Sequence, residues 1–207
     1  MDKLRLELFS DGVFAIILTL LVIELELPHE AGLAGLREVM PTLLVHALVF
    51  LLVGMCWLFH NRALSLKTDT GDLLVRLNLL ALFWPTLMPF AARIAARDPL
   101  EPLGAFLLAI NVLAYTLSIY LIIAKTGALK YDGTALGVSL NRRLNIRYWS
   151  LNATGAICAA LCFVSPWFGY GYVVLWSTTI LFTRSMAEVL KHQQGDEPPR
   201  TGDEVPR

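Results

Sequence analysis

Arg5, Ser10 and Asp11 stand at the head of an apolar run that continues to Ile23, so a guanidinium, a hydroxyl and a carboxylate lead straight into a segment suited to hydrocarbon. An ionisable group at such a mouth is costly unless it has a partner or a task. A carboxylate there can accept hydrogen bonds from neighbouring helices, hold a passing cation or exchange a proton. Trp57, His60 and Asn78 fall at matching ends of the second and third apolar runs. The expected arrangement is therefore a polar cluster in which Asp11 accepts and Trp57, His60 or Asn78 donate. Such a cluster fixes the first helix against the second and third. The same groups also permit direct ion binding by Asp11, or proton sensing through His60, whose ring changes charge near neutral pH. Gly12 at the same level allows close helix contact.

Beyond Asp11 the run becomes a stripe. With Ile16 as reference and about 100° per residue, Leu20, Ile23, Phe9 and Gly12 lie within about 40° of it, Thr19 about 60° to one side and Asp11 about 140° away. Ile16, Leu20 and Ile23 thus share one branched apolar face. Two readings are open: the face packs on lipid or another helix, or copies of it converge on an axis. In the second, rings of Ile16, Leu20 and Ile23 form a constriction that gates by expelling water, with the Thr19 hydroxyl beside it for an ion that has shed part of its hydration. Glu24 and Glu26 follow on opposite sides of the stripe. They either concentrate cations at an outer vestibule or remain solvated interface residues.

The elements that must carry these groups are helices. The 207 residues are 56% apolar and 16% charged, and the apolar residues gather in stretches of a length that spans a bilayer. The fold class is all-α, a polytopic membrane protein with six spans near residues 9–27, 41–59, 74–92, 103–124, 149–164 and 170–187. A barrel would need shorter, alternating segments. Pro28 ends the first helix and Pro41 opens the second, with a short amphipathic turn from Leu33 to Val39 between them. Pro85 and Pro89 kink the third span. The polar stretch around Arg142 and Arg143 is expected to extend its helix past the bilayer, and residues 165–172 form an external aromatic turn. Residues 1–192 make one six-helix transmembrane domain, and the polar, proline-rich residues 193–207 a disordered tail.

The zero net charge hides an asymmetry. With the N-terminus inside, basic residues from Lys3 and Arg5 to Arg184 and Lys191 collect in cytoplasmic segments, while Arg37, Arg93 and Arg97 face the other side, which places both termini in the cytoplasm. The basic residues then report topology, and a nucleic-acid interface is excluded as their purpose. The first apolar run lacks a small-residue processing site and is retained as a span. Cys56, Cys158 and Cys162 lie in apolar runs, as buried small groups rather than ligands. His46, Asn111, Tyr115 and Asn152 suit interhelical hydrogen bonds. Metalloprotease, phosphate-loop, dinucleotide and nucleophile-elbow motifs are missing, so an enzyme is excluded, and no Thr-Val-Gly-Tyr-Gly filter occurs. Only one copy of the Phe-Ser-Asp-Gly segment is present, so a pore built from it needs other subunits.

The pattern Arg5-x-x-x-Phe9-Ser10-Asp11-Gly12-Val13-Phe14-Ala15-Ile16, followed by Thr19-Leu20-Leu21 and Pro28, with Trp57-x-x-His60 and Asn78 later, resembles the bacterial homologues of the lysosomal potassium channel. The resemblance implies a potassium-permeable cation channel of the prokaryotic inner or plasma membrane, without a re-entrant pore loop. It further implies a homotetramer whose pore is lined by the first helix of each subunit. Carried over by motif position, the constriction falls at Ile16, Leu20 and Ile23. Thr19 is selectivity-related, and potassium passes transiently near Ile16 and Thr19. Arg5, Ser10 and Asp11 form the structural start of the motif. No cofactor is implied beyond the permeant potassium ion. A proton-coupled carrier using Asp11 and His60, or a nonconducting membrane scaffold, are the alternative functions.

Overall fold

The computed structural model describes residues 2–23, 25, 28–65, 71–125 and 135–182. Within them lie seven helices: α1 (Lys3–Ile23), α2 (Gly32–Ser65), α3 (Asp72–Thr86), α4 (Met88–Arg97), α5 (Pro102–Lys125), α6 (Ala135–Leu161) and α7 (Trp167–Phe182). Each helix satisfies its backbone polar groups internally, which hydrocarbon demands. The protein is all-α and polytopic. Among the described residues four rods are long and apolar enough to cross a membrane: α1, α2, α3 with α4, and α5. The fifth and sixth apolar runs are met by shorter apolar lengths, because the first half of α6 carries Arg142, Arg143 and Arg147 and only 16 residues of α7 are described.

Burial explains the packing. On α1, Leu6, Ser10, Phe14, Ile17 and Leu21 recur every three or four residues and form the face that docks on the bundle. α5 is the central rod, with Leu108, Ala109, Val112, Tyr115 and Ile119 all fully buried. Small residues let its neighbours close in. A Cβ added at Gly104 would meet the Ala95 backbone of α4, and one at Gly169 would lie 2.6 Å from Cys162 Sγ and 2.8 Å from the Ala105 carbonyl.

Proline marks the break in the third rod but not the start of the second helix. Pro85 and Pro89 break the third rod at Leu87, whose N–H turns to the Trp84 carbonyl at 3.0 Å in a tightened turn. Pro41, by contrast, does not open the second helix: it sits inside α2, and residues 33–39 are the first turns of the same helix rather than a separate surface turn. The start lies at Gly32, whose φ of 72° is the left-handed conformation that glycine adopts without strain. At 34 residues α2 is about 51 Å long, against about 30 Å of hydrocarbon, so it projects beyond the bilayer. The aromatic turn expected at residues 165–172 is also shorter, since Trp167 onward is already helical. The expected tail, residues 193–207, lies outside the described residues.

Candidate functional site

The polar groups at the start of α1 divide into two networks. Trp57 Nε1 on α2 donates to Asp11 Oδ1 at 2.8 Å, in a partly open setting. One residue earlier, the fully buried Ser10 joins Asn78 and His60. His60 Nε2 bonds Asn78 Oδ1 at 2.8 Å, and Asn78 Nδ2 donates to Ser10 Oγ at 3.1 Å. Ser10 Oγ in turn donates to the Leu6 carbonyl of its own helix at 2.9 Å. Donation from His60 Nε2 leaves Nδ1 as the bare nitrogen, and it is buried without a partner. The imidazole is held between Phe14, edge-on with centroids 5.5 Å apart, and Tyr115, stacked at 6.4 Å. Tyr115 itself ties α5 to α2 by donating to the Cys56 carbonyl at 2.7 Å.

These two networks fix the rotation of α1. Ser10 and Asp11 are held by α2 and α3, and the apolar positions Phe14, Ile17 and Leu21 follow them into the core. The buried face is centred about 120° from Ile16 on the helical wheel. Consequently Ile16, Leu20 and Ile23 remain 60%, 42% and 75% exposed, while Phe14, Ile17 and Leu21, their near neighbours in sequence, are each 1% exposed. Thr19 is exposed on the same side and donates its hydroxyl proton to the Ile16 carbonyl at 2.8 Å. An added Cβ at Gly12 would meet nothing within 4 Å, so this face is open along its length.

The motif sets Arg5 with Ser10 and Asp11 as candidates for the polar cluster. The structure leaves Arg5 exposed, and among the described residues no hydrogen bond joins it to Asp11, which lies six residues on and more than a turn away. Glu24 and Glu26 lie outside the described residues. Their neighbourhood carries a clamp that sequence reasoning missed: Glu38 of α2 accepts from the His29 backbone N–H at 3.1 Å and bonds His29 Nδ1 at 2.5 Å. Also missed were the Arg62 guanidinium, which donates to the Ile180 carbonyl of α7 at 2.8 Å, and the stacked pair Tyr120 and Tyr148. Neither has a sequence spacing to announce it, because the partners are far apart in the chain. Among the described residues no group of three or more His, Cys, Asp or Glu is placed to hold a resident metal ion.

Comparison with known proteins bears on this arrangement. The family model described as endosomal/lysosomal potassium channel TMEM175 matches residues 5–89, the span that contains nearly all of α1, the whole of α2, and Asn78. A protein from Chryseobacterium sp. (strain P1-3), named a potassium channel, is 30% identical over 180 residues, covering 84% of this chain and 90% of its own length. The chain belongs to the TMEM175 family. Another similar protein, the human endosomal/lysosomal proton channel TMEM175, is 25% identical over 178 residues, and the match covers 83% of this chain but 35% of the human protein. The fold is that of a crystal structure described as a lysosomal potassium-selective channel TMEM175 homologue from Chamaesiphon minutus, with a TM-score of 0.73 at 24% identity, covering 86% of this chain and 96% of that one. Family membership makes this a multi-pass membrane protein of the ion-channel kind rather than an enzyme.

Proposed function

We propose that the chain is one subunit of a potassium-permeable cation channel of a prokaryotic inner or plasma membrane, with α1 of each copy lining a shared pore. The observation that carries this is the rotation of α1. A branched apolar stripe of Ile16, Leu20 and Ile23 is turned away from the core of its own subunit, with Thr19 beside it. Rings of these side chains would gate by dewetting, and the Thr19 oxygen would serve a partly dehydrated potassium ion near Ile16. Ser10 and Asp11, with Trp57, His60 and Asn78, then act as the fixture that sets this rotation. Glu24 and Glu26 would form the outer vestibule.

The Arg5 to Gly12 segment is the family signature in this reading, and four such subunits make the pore, since one chain holds a single copy. α6 and α7 supply the fifth and sixth crossings, and both termini are cytoplasmic, because that orientation puts the basic excess inside. The relatives named potassium channels support the ion.

The test is potassium flux into liposomes for wild type and Ile16→Asn. A polar amide at the narrow ring holds water, so the variant is expected to leak more. Unchanged flux would count against a gate at this position. Wild-type current that saturates and requires a proton gradient would instead indicate a coupled carrier, and no flux in either protein a scaffold.

A further inference from the structure

One face of α6 changes character along its length in the order a phospholipid does. Arg142 is exposed, Ile146 and Trp149 follow at 59% and 51% exposure, and the exposed Ala153 and the 60% exposed Ile157 continue the stripe. These positions share a sector of about 80°. Arg142 and Trp149 are about 10 Å apart along the axis, so an indole at the edge of the hydrocarbon places the guanidinium at the level of lipid phosphates.

The aromatic step is fixed in place. Trp149 meets Tyr120 edge-on at 5.5 Å and Tyr148 at 5.4 Å, and the two tyrosines stack at 4.6 Å with 18° between their planes. The Tyr148 hydroxyl donates to the Thr116 carbonyl of α5 at 3.0 Å, which anchors the group to the central rod. The charge has one sign. Arg142, Arg143 and Arg147 fall within six residues, and the sequence has no Asp or Glu from Gly133 to Ala187. Arg147 is exposed beside this face and also donates to the Thr179 carbonyl at 3.4 Å.

We infer that this face of α6 binds an anionic phospholipid, its phosphate opposite Arg142 and its acyl chain along Trp149, Ala153 and Ile157. Charge complementarity selects an anion, and the apolar continuation selects a lipid over a free phosphate. The inference rests on the chain spanning a membrane and not on potassium conduction.

The test uses the full chain in neutral detergent, titrated with phosphatidylglycerol, phosphatidylcholine or inorganic phosphate, with bound lipid counted by native mass spectrometry. Phosphatidylglycerol is expected to bind preferentially, Arg142→Gln to weaken it about fivefold, and Arg142→Gln with Arg143→Gln and Arg147→Gln to abolish the preference. Arg76→Gln, an exposed arginine on α3, is expected to change nothing. Should the triple variant lack a wild-type unfolding midpoint in phosphatidylcholine, the single variant decides. An undiminished preference in Arg142→Gln, equal competition by inorganic phosphate, or no lipid preference in wild type, as when a second copy of the chain covers this face, would overturn the inference.

Discussion

Asn78 joins three helices through one amide, and replacing it isolates the energetic worth of the network that orients α1. Asn78→Ala removes the bond to His60 and the bond to Ser10 Oγ. Interhelical hydrogen bonds in membranes average about 0.6 kcal/mol each, which gives about 1.2 kcal/mol for the pair. The larger part comes from what is left behind. His60 is fully buried and its Nδ1 is already without a partner, so losing Asn78 strands the second ring nitrogen as well, at about 1–3 kcal/mol. The expected total is about 2–4 kcal/mol. Ser10→Ala should cost nearer 1 kcal/mol, because Ser10 contributes one interhelical bond and its other bond stays within α1. Unfolding in mixed detergent micelles of wild type, Asn78→Ala, His60→Phe and the double variant forms a thermodynamic cycle. The double variant should cost about 1 kcal/mol less than the sum of the singles, since the imidazole that Asn78 satisfied is gone. A coupling below about 0.3 kcal/mol, the range in which independent sites add, or equal costs for Asn78→Ala and Ser10→Ala, would refute the reasoning.

Gly104→Ala is expected to destabilise the bundle by about 1–3 kcal/mol in the same assay, since its methyl would fall 2.6 Å from the Ala95 backbone nitrogen and α4 would have to move. Gly12→Ala, where nothing lies within 4 Å of the added methyl, should not destabilise the chain on its own, since alanine favours the helix over glycine. Any loss of subunit assembly in that variant would mark Gly12 as a contact between copies. At the other end of α2, in turns that lie before the apolar run, the His29 ring and backbone N–H hold the Glu38 carboxyl below its usual range. A carboxylate with a lowered value contributes while ionised and stops contributing as the pH falls through that value. The clamp should therefore be intact near neutral pH and open on acidification through the carboxylate range. Carbon NMR of labelled Glu38 checks this, and a titration matching that of a His29→Ala variant would exclude the clamp.

Much of the fold was legible because hydrocarbon permits few backbone solutions. Apolar length marked α1, α2 and α5, and the Pro85 and Pro89 pair marked the break in the third rod. Pro41 misled because its missing N–H is tolerated within α2, while the true helix start depended on the backbone sign of Gly32. At the site, the 3.6-residue period separated Ile16, Leu20 and Ile23 from Phe14 and Ile17 but could not say which stripe faced the core. Depth matching brought Trp57, His60 and Asn78 to the right level. It could not reveal that Asp11 and Ser10 take different partners, because adjacent residues point about 100° apart and that angle has meaning only once α2 and α3 are placed.

Thr19 holds a last consequence. Its hydroxyl proton is committed to a carbonyl one turn back along its own helix, so what its oxygen can still offer is electron pairs alone. In the proposed pore, a ring of such oxygens would greet a positive species and offer a chloride nothing to grip, and the preference for one sign of charge would need no carboxylate at that depth.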